Sequence, residues 1–150
     1  MKRDINILMI EEDRHEVDCL KEAITVGQII SVNIAQAEDG DQALAYLKQE
    51  YPYLDAPRPD VIFLDLDLPG MPGRELLGTI KQTEAFANIP LVVLIHSDEE
   101  KDTMEAFSYD RTCFFFKKPE SCQDWLLIFR CIEDVWQTHV QFPLQFGSSF

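Results

Sequence analysis

The sequence is short of basic residues, with 13 lysines and arginines against 27 aspartates and glutamates, so its formal net charge is −14 over 150 residues. A surface this acidic repels nucleic-acid phosphates and anionic membrane headgroups, and we expect neither partner. Long apolar runs are lacking too. No stretch approaches a membrane span, and the first apolar segment is too short for a signal peptide. These absences predict a cytoplasmic protein.

Closely spaced cysteines are also lacking. None of the four cysteines forms a Cys-x-x-Cys pair, and each lies among apolar neighbours: Cys19, Cys113, Cys122 and Cys131. This pattern is typical of reduced core cysteines in a cytosolic protein, rather than of disulfides or a zinc site. The three histidines are too scattered along the chain to indicate a metal cluster: His15, His96 and His139.

One stretch of the sequence, residues 59–73, combines a strand pattern with strong breakers. It reads Pro-Asp-Val-Ile-Phe-Leu-Asp-Leu-Asp-Leu-Pro-Gly-Met-Pro-Gly. The apolar run 61–64 ends at Asp65, and the prolines and glycines that follow prevent a regular element. A short apolar run between breakers predicts a strand that is buried on both faces. Asp65 is therefore expected at the carboxyl end of a central strand, where ligands bind in open α/β sheets.

Hydrophobic periodicity divides the chain into alternating strands and helices. Strands are predicted at residues 5–10, 31–37, 61–65, 91–95 and 112–116. Helices are predicted at residues 14–26, 74–83 and 121–139, with two more opening at 39–41 and 97–100. This alternation predicts a parallel sheet covered on both faces. We expect a single domain over residues 1–150, with a core to about residue 139 and a C-terminal extension at 140–150.

Three of the predicted strands end in charged residues. In chain order these are Glu11, Glu12, Asp13, Asp65, Asp67, Lys117 and Lys118. Because parallel strands end at the same edge of a sheet, these side chains are expected to converge. Clustered carboxylates repel one another unless a cation neutralises them, and Mg²⁺ prefers oxygen ligands. A metal ion, an exposed carboxylate and a lysine together make a site for phosphoryl transfer.

With these residues in place, the chain resembles the receiver domain of a two-component response regulator over essentially its whole length. The acidic group, the segment from Asp65 to Gly73 and the pair Lys118–Pro119 match that family in order and spacing. Further segments are similar to the cyanobacterial phytochrome-associated Rcp-type subfamily: 56–59, 73–77, 132–136 and 142–143. The resemblance implies a doubly wound, flavodoxin-like α/β fold with five parallel strands in the order 2-1-3-4-5, five flanking helices and a C-terminal extension.

The resemblance also implies roles for the acidic residues. Asp65 would be the phosphoacceptor. Glu11 and Glu12 would hold Mg²⁺ together with Asp65 and the backbone carbonyl of Asp67. Asp13 would substitute for Glu12 if the strand end shifts.

The resemblance assigns the phosphoryl contact to a lysine, and two candidates remain. Lys118 is indicated by the proline that follows it, and Lys117 by its spacing. We favour Lys118, whose bond to Pro119 is cis in the family and is cheap before proline.

Several positions depart from the family pattern. Glu12 stands where an aspartate normally coordinates Mg²⁺, and Asp67 adds a negative charge. Ile95 occupies the switch position, which normally holds a serine or threonine, and His96 or Ser97 is expected to compensate only if the loop shifts register. Phe115, at the aromatic switch position, has no hydroxyl.

These departures leave two functions open. The first is a single-domain response regulator in a phosphorelay, which accepts a phosphoryl group on Asp65 and is not an enzyme in its own right. The alternative is a pseudo-receiver, a phosphorylation-independent interaction module. The Asp-x-Asp motif at 65–67 also resembles that of haloacid-dehalogenase-type phosphatases, but it lies on the third strand and is followed by Pro69 instead of a hydroxyl residue.

The last helix carries an apolar stripe that is wider than one core-facing side needs. Further apolar residues follow in the extension 140–150, and exposed apolar surface of this size indicates an interface. The resemblance implies a homodimer through the last helix and the C-terminal extension. It also implies a sensor histidine kinase as partner, of the phytochrome type.

Overall fold

The computed structural model describes residues 5–27, 32–97 and 113–139. These residues form, in order, β1 (Ile5–Ile10), α1 (Arg14–Gly27), β2 (Val32–Ala37), α2 (Gly40–Lys48), β3 (Val61–Asp65), α3 (Gly73–Gln82), β4 (Leu91–Ile95), β5 (Cys113–Lys117) and α4 (Cys122–His139). Of the helix expected to open at 97–100, only Ser97 lies within the described residues, and the extension 140–150 lies outside them. Within the described part, no helix is both long and apolar enough to span a bilayer.

The five strands form one parallel sheet in the order β2-β1-β3-β4-β5, which confirms the predicted fold. Every residue of β3 and β4 is buried, whereas the edge strand β2 is only partly buried. The unbroken apolar runs of β3 and β4 therefore fit interior strands, because an interior strand is covered on both faces. The apolar run of β5 belongs instead to an edge strand that is only partly buried. Asp65 lies at the end of the middle strand of the sheet.

The sheet separates two apolar layers, because successive side chains of a strand point to opposite faces. On one face, α2 and α3 pack against β-strand residues such as Leu8 and Leu64. On the other face, α1 and α4 pack against residues such as Met9 and Phe63. Trp125 of α4 is fully buried in this second layer.

The helices α1 and α4 are joined by a disulfide between Cys19 and Cys122, with Cα atoms 4.8 Å apart. The prediction that all cysteines are reduced was therefore wrong for this pair. The two residues are 103 positions apart, so only the packing of the helices brings them together. Closing a loop of this length stabilises a fold by about 4–5 kcal/mol. Cys113 is buried as expected, but Cys131 is exposed.

The loop after β3 depends on glycine. Gly70 has a φ of +75°, which side-chain-bearing residues rarely adopt. At Gly73, the first residue of α3, a Cβ atom would lie 2.5 Å from both the Cα and the carbonyl oxygen of Leu66. The start of α3 can therefore lie against the residue that follows Asp65 only because position 73 has no side chain.

We expect Gly73→Ala to lower the free energy of unfolding by about 1–3 kcal/mol, because the backbone at the end of β3 must move to admit the methyl group. Urea denaturation measures the loss. Arg74→Ala is the matched control, since Arg74 is exposed at the next position of the same helix. Equal stability of the two variants would show that the close contact has no energetic consequence.

Candidate functional site

The carboxyl ends of β1, β3 and β5 bring together Glu11, Asp65 and Lys118. Asp65 is the last residue of β3 and is 1% exposed, and Glu11 directly follows β1 and is 2% exposed. Nζ of Lys118 lies 2.7 Å from Oδ2 of Asp65 and 2.7 Å from Oε1 of Glu11. Acids from the first and third strands thus meet one lysine that follows the fifth.

The lysine that reaches Asp65 is Lys118. Lys117 is the last residue of β5 and is exposed. The N–H of Lys118 donates to the backbone carbonyl of Ile95 over 2.7 Å, which holds residue 118 beside the end of β4. The expectation of a cis bond between Lys118 and Pro119 was wrong. Within the described residues the cis peptide bond is Tyr51–Pro52, so Lys118–Pro119 is trans. The small energy difference before proline makes either isomer accessible.

Both oxygens of the Asp65 carboxylate are engaged. Oδ1 accepts a hydrogen bond from the backbone N–H of Asp67 over 2.9 Å. Nε2 of His96 lies 2.7 Å from the same oxygen, and since a carboxylate oxygen accepts, the imidazole donates. Oδ2 accepts from Lys118. These donors offset the high free energy of burying a carboxylate.

The charges of the three groups shape one another. Burial raises the pKa of Asp65, but hydrogen bonds from Lys118, His96 and the Asp67 N–H outweigh it and leave that pKa below its usual value. Burial raises the pKa of Glu11 above its usual value, against the opposing effect of Lys118. Burial would lower the pKa of Lys118, yet Asp65 and Glu11 raise it above its usual value. Asp65 and Lys118 are therefore both charged at neutral pH.

The donor set at this edge fits a hard divalent cation. Within residues 5–27, 32–97 and 113–139, Oε1 of Glu11 is a buried oxygen without an aligned hydrogen-bond donor, although Lys118 lies in ion-pair range. The carboxylates of Glu11 and Asp65 supply the oxygen ligands that Mg²⁺ prefers. Lys118 supplies positive charge at the same place.

The other predicted acidic residues lie around this centre. Glu12 is exposed, as is Asp67, whose backbone N–H contacts Asp65. Asp13 caps α1: its Oδ1 accepts a hydrogen bond from the N–H of His15 over 2.9 Å, and its own N–H donates to Glu11 Oε2 over 3.0 Å. The Asp13 carboxylate thus stabilises the start of a helix, a use that aspartate commonly has.

The two switch positions are built into the apolar core. Ile95 is completely buried, and Phe115 packs against the same apolar layer. Neither side chain can donate a hydrogen bond. The expectation that His96 would compensate only after a register shift was wrong, because β4 ends at Ile95 as predicted and His96 still reaches Asp65. His96 is the first residue after β4 and therefore lies at the same sheet edge as Asp65. This position in the sequence was the signal from which the contact could have been predicted.

A parallel sheet in the order 2-1-3-4-5, with an acid–lysine centre at its carboxyl edge, defines a receiver-type α/β signalling domain. The family model for the response regulator receiver domain matches residues 7–124. The chain belongs to the response regulator receiver family.

Several relatives are similar over nearly the whole chain. Response regulator Rcp1 of Synechocystis sp. (strain PCC 6803) is 32% identical over 137 residues, which span 91% of this chain and 92% of that protein. The crystal structure of the phosphorylated cyanobacterial phytochrome response regulator RcpA has a TM-score of 0.78 and 31% identity, covering 95% of this chain and 100% of that one. The Mn²⁺-bound form of Rcp1 has a TM-score of 0.76 and 31% identity, covering 93% and 99%.

We expect Lys118→Met to lower the free energy of unfolding at neutral pH by on the order of 3 kcal/mol, because it leaves two buried carboxylates without their cation. In the wild type, the lowered pKa of Asp65 contributes stability above the unfolded-state pKa that is lost as pH falls. In the variant, burial and mutual repulsion raise the pKa of both acids, so protonation relieves the defect. Denaturation in metal-free buffer should show the difference between the two proteins narrowing towards about pH 4.

Lys117→Met is the control, since it removes the same charge from an exposed position. A loss of stability in Lys118→Met that does not change with pH would contradict the assigned charge balance.

Proposed function

We propose that this protein accepts a phosphoryl group on Asp65 from a sensor histidine kinase and signals through contacts with other proteins. The observation that carries the proposal is the ionised, buried carboxylate of Asp65, which Lys118 contacts at the carboxyl edge of the sheet. An anionic oxygen at a sheet edge is a nucleophile, and the neighbouring ammonium offsets the negative charge that a phosphoryl group brings.

The transfer uses few groups of this chain. A carboxylate oxygen of Asp65 attacks the phosphorus, and the bond from phosphorus to the kinase imidazole nitrogen breaks, leaving the electron pair on that nitrogen. The positively charged ammonium of Lys118 moves from the carboxylate towards the phosphoryl oxygens, as positioning groups do in phosphoryl transfer. Mg²⁺ held by Glu11 and Asp65, with Glu12 and the Asp67 carbonyl nearby, would supply positive charge that offsets repulsion between the acids and the phosphoryl group.

His96 takes the place of the hydroxyl that is missing at Ile95. Its Nε2 already donates to Asp65 Oδ1 at 2.7 Å, and its side chain is 41% exposed, so the imidazole can follow the carboxylate when that oxygen bonds to phosphorus. A hydrogen bond from His96 to a phosphoryl oxygen then replaces the one to the carboxylate. The chain itself would not turn over a substrate beyond acquiring and losing its own phosphoryl group.

A second function, the pseudo-receiver, is favoured by a specific observation. Ile95 is buried and apolar, so the group that couples phosphorylation to the loop after β4 in the family pattern is absent from this position. As a pseudo-receiver, the domain would act through its surface alone.

Incubation with a small phosphodonor and Mg²⁺, or with a cognate histidine kinase, should label the wild type at one aspartyl residue. Asp65→Asn should abolish labelling, because the amide is a poor nucleophile. Mass spectrometry and radiolabelling measure the incorporation. Asp67→Asn is the matched control, since Asp67 is exposed and contacts Asp65 through its backbone N–H.

Labelling that persists in Asp65→Asn would rule out Asp65 as the acceptor. No labelling of the folded wild type with either donor would instead support the pseudo-receiver.

We infer that the kinase is phytochrome-like and that both partners meet in the cytoplasm. The support is similarity to RcpA and Rcp1 over nearly the whole chain, the first being a cyanobacterial phytochrome response regulator. The Mn²⁺-bound form of Rcp1 supports the binding of a divalent cation by this chain.

We also infer that the protein forms a homodimer through α4 and the C-terminal extension. Leu127 of α4 is 64% exposed, and Cys131 is exposed one turn further along. Residues four apart on a helix share a face, so these two make an apolar strip on the outside of the domain.

Light scattering should give a dimer mass for the wild type, and Leu127→Glu should shift it towards the monomer, because a carboxylate in an apolar interface must be desolvated. Leu54→Glu is the control: Leu54 is 62% exposed in the segment between α2 and β3 and carries the same change outside α4. A monomeric wild type at micromolar concentration would overturn the inference.

A further inference from the structure

The helices α1 and α4 place three metal-ligating side chains in one cluster: His15, Cys19 and Cys122. Their ligand atoms lie within 4.8 Å of one another. His15 and Cys19 are four residues apart on α1 and so share a face, with Nε2 of His15 3.6 Å from Sγ of Cys19. The disulfide brings Cys122 of α4 to the same point. The phosphoryl-transfer chemistry uses none of these groups.

We propose that reduction of the Cys19–Cys122 disulfide creates a binding site for a thiophilic metal ion, of which Zn²⁺ is the commonest, formed by the two thiolates and the His15 imidazole. The disulfide itself cannot serve, because its sulfurs carry no charge. Reduction breaks the S–S bond with two electrons and two protons, which a cellular dithiol supplies while it is oxidised to its own disulfide. The ion then displaces the two thiol protons.

The geometry suits such an ion. Two thiolates on one tetrahedral Zn²⁺ lie about 3.7 Å apart, because each Zn–S bond is about 2.3 Å long. Sulfurs on Cα atoms 4.8 Å apart reach that separation by rotation about χ1. A cavity of about 120 Å³ beside Cys122, lined by Glu22, Ala23 and Gln123 among others, leaves room for this rotation.

The surroundings favour thiolates and allow entry. Cys122 is the first residue of α4, where the positive end of the helix stabilises a thiolate. His15 is exposed, so an ion reaches the cluster from solvent and keeps a water molecule as its fourth ligand. The net charge of −14 raises the local concentration of cations. In either redox state α1 and α4 would be cross-linked, by a disulfide or by an ion.

The test uses the full chain and Co²⁺ as a spectroscopic substitute for Zn²⁺. A phosphine and water reduce the disulfide, yielding two thiols and the phosphine oxide, and the excess reagent is removed. Titration of the reduced protein with Co²⁺ should produce thiolate-to-cobalt charge-transfer bands and the visible bands of tetrahedral Co²⁺, saturating at one ion per chain. Zn²⁺ should abolish these bands, and the oxidised protein should not show them.

Variants separate this site from its alternatives. His15→Ala should weaken Co²⁺ binding by roughly tenfold or more, since even outer-shell partners are worth that much. If the two cysteines served only as a disulfide, this change would have no effect on Co²⁺ binding. Cys122→Ser should remove the charge-transfer bands. Cys131→Ser and Asp65→Asn are controls that should leave them unchanged, because Cys131 is an exposed thiol outside the cluster and Asp65 belongs to the oxygen-ligand site.

Two results would overturn the proposal. One is the absence of charge-transfer bands in the reduced wild type. The other is a His15→Ala protein, folded by circular dichroism, that binds Co²⁺ as tightly as the wild type.

Discussion

The charge balance around Lys118 is the constraint on which the rest of the structure depends. Its ammonium lies 2.7 Å from each of two carboxylates that are almost completely buried. Burial disfavours the charged form of a carboxyl, and Lys118 opposes this effect on the pKa of both Asp65 and Glu11. The pairing of β4 with β5 and the close contact of Gly73 with Leu66 lie next to the strand ends that carry Lys118 and Asp65.

Asp65 has a hydrogen-bond donor beside it that comes from the residue after the switch position. Ile95 completes the apolar layer and leaves no hydroxyl at the switch position. His96, one residue further, follows the end of β4 at the edge of the sheet, where it contacts Asp65. A hydrogen-bond donor thus remains beside the carboxylate, although it comes from a different residue with a different reach. The family pattern alone would have indicated a loss of this contact.

The face of the sheet covered by α1 and α4 is tied together by more than apolar packing. Nε1 of the buried Trp125 donates to Oε2 of Glu16 over 2.9 Å, and the disulfide joins the same two helices. Because α1 begins just after Glu11 and α4 just after Lys118, these links also hold two of the segments that carry the charged centre.

The sequence by itself determined the positions of the strands, the burial of the central strand on both faces and the residues at the strand ends. Apolar runs and breakers are local properties of the chain. It predicted that Asp65, Glu11 and a lysine share one edge, since all parallel strands end there. The proline after Lys118 favoured this lysine over Lys117, and the structure places its ammonium beside Asp65. The contact of His96 with Asp65 and the pairing of Cys19 with Cys122 were decided only by the tertiary structure. Each depends on the direction of a side chain or on the packing of elements far apart in the chain, and no local pattern of residues encodes either.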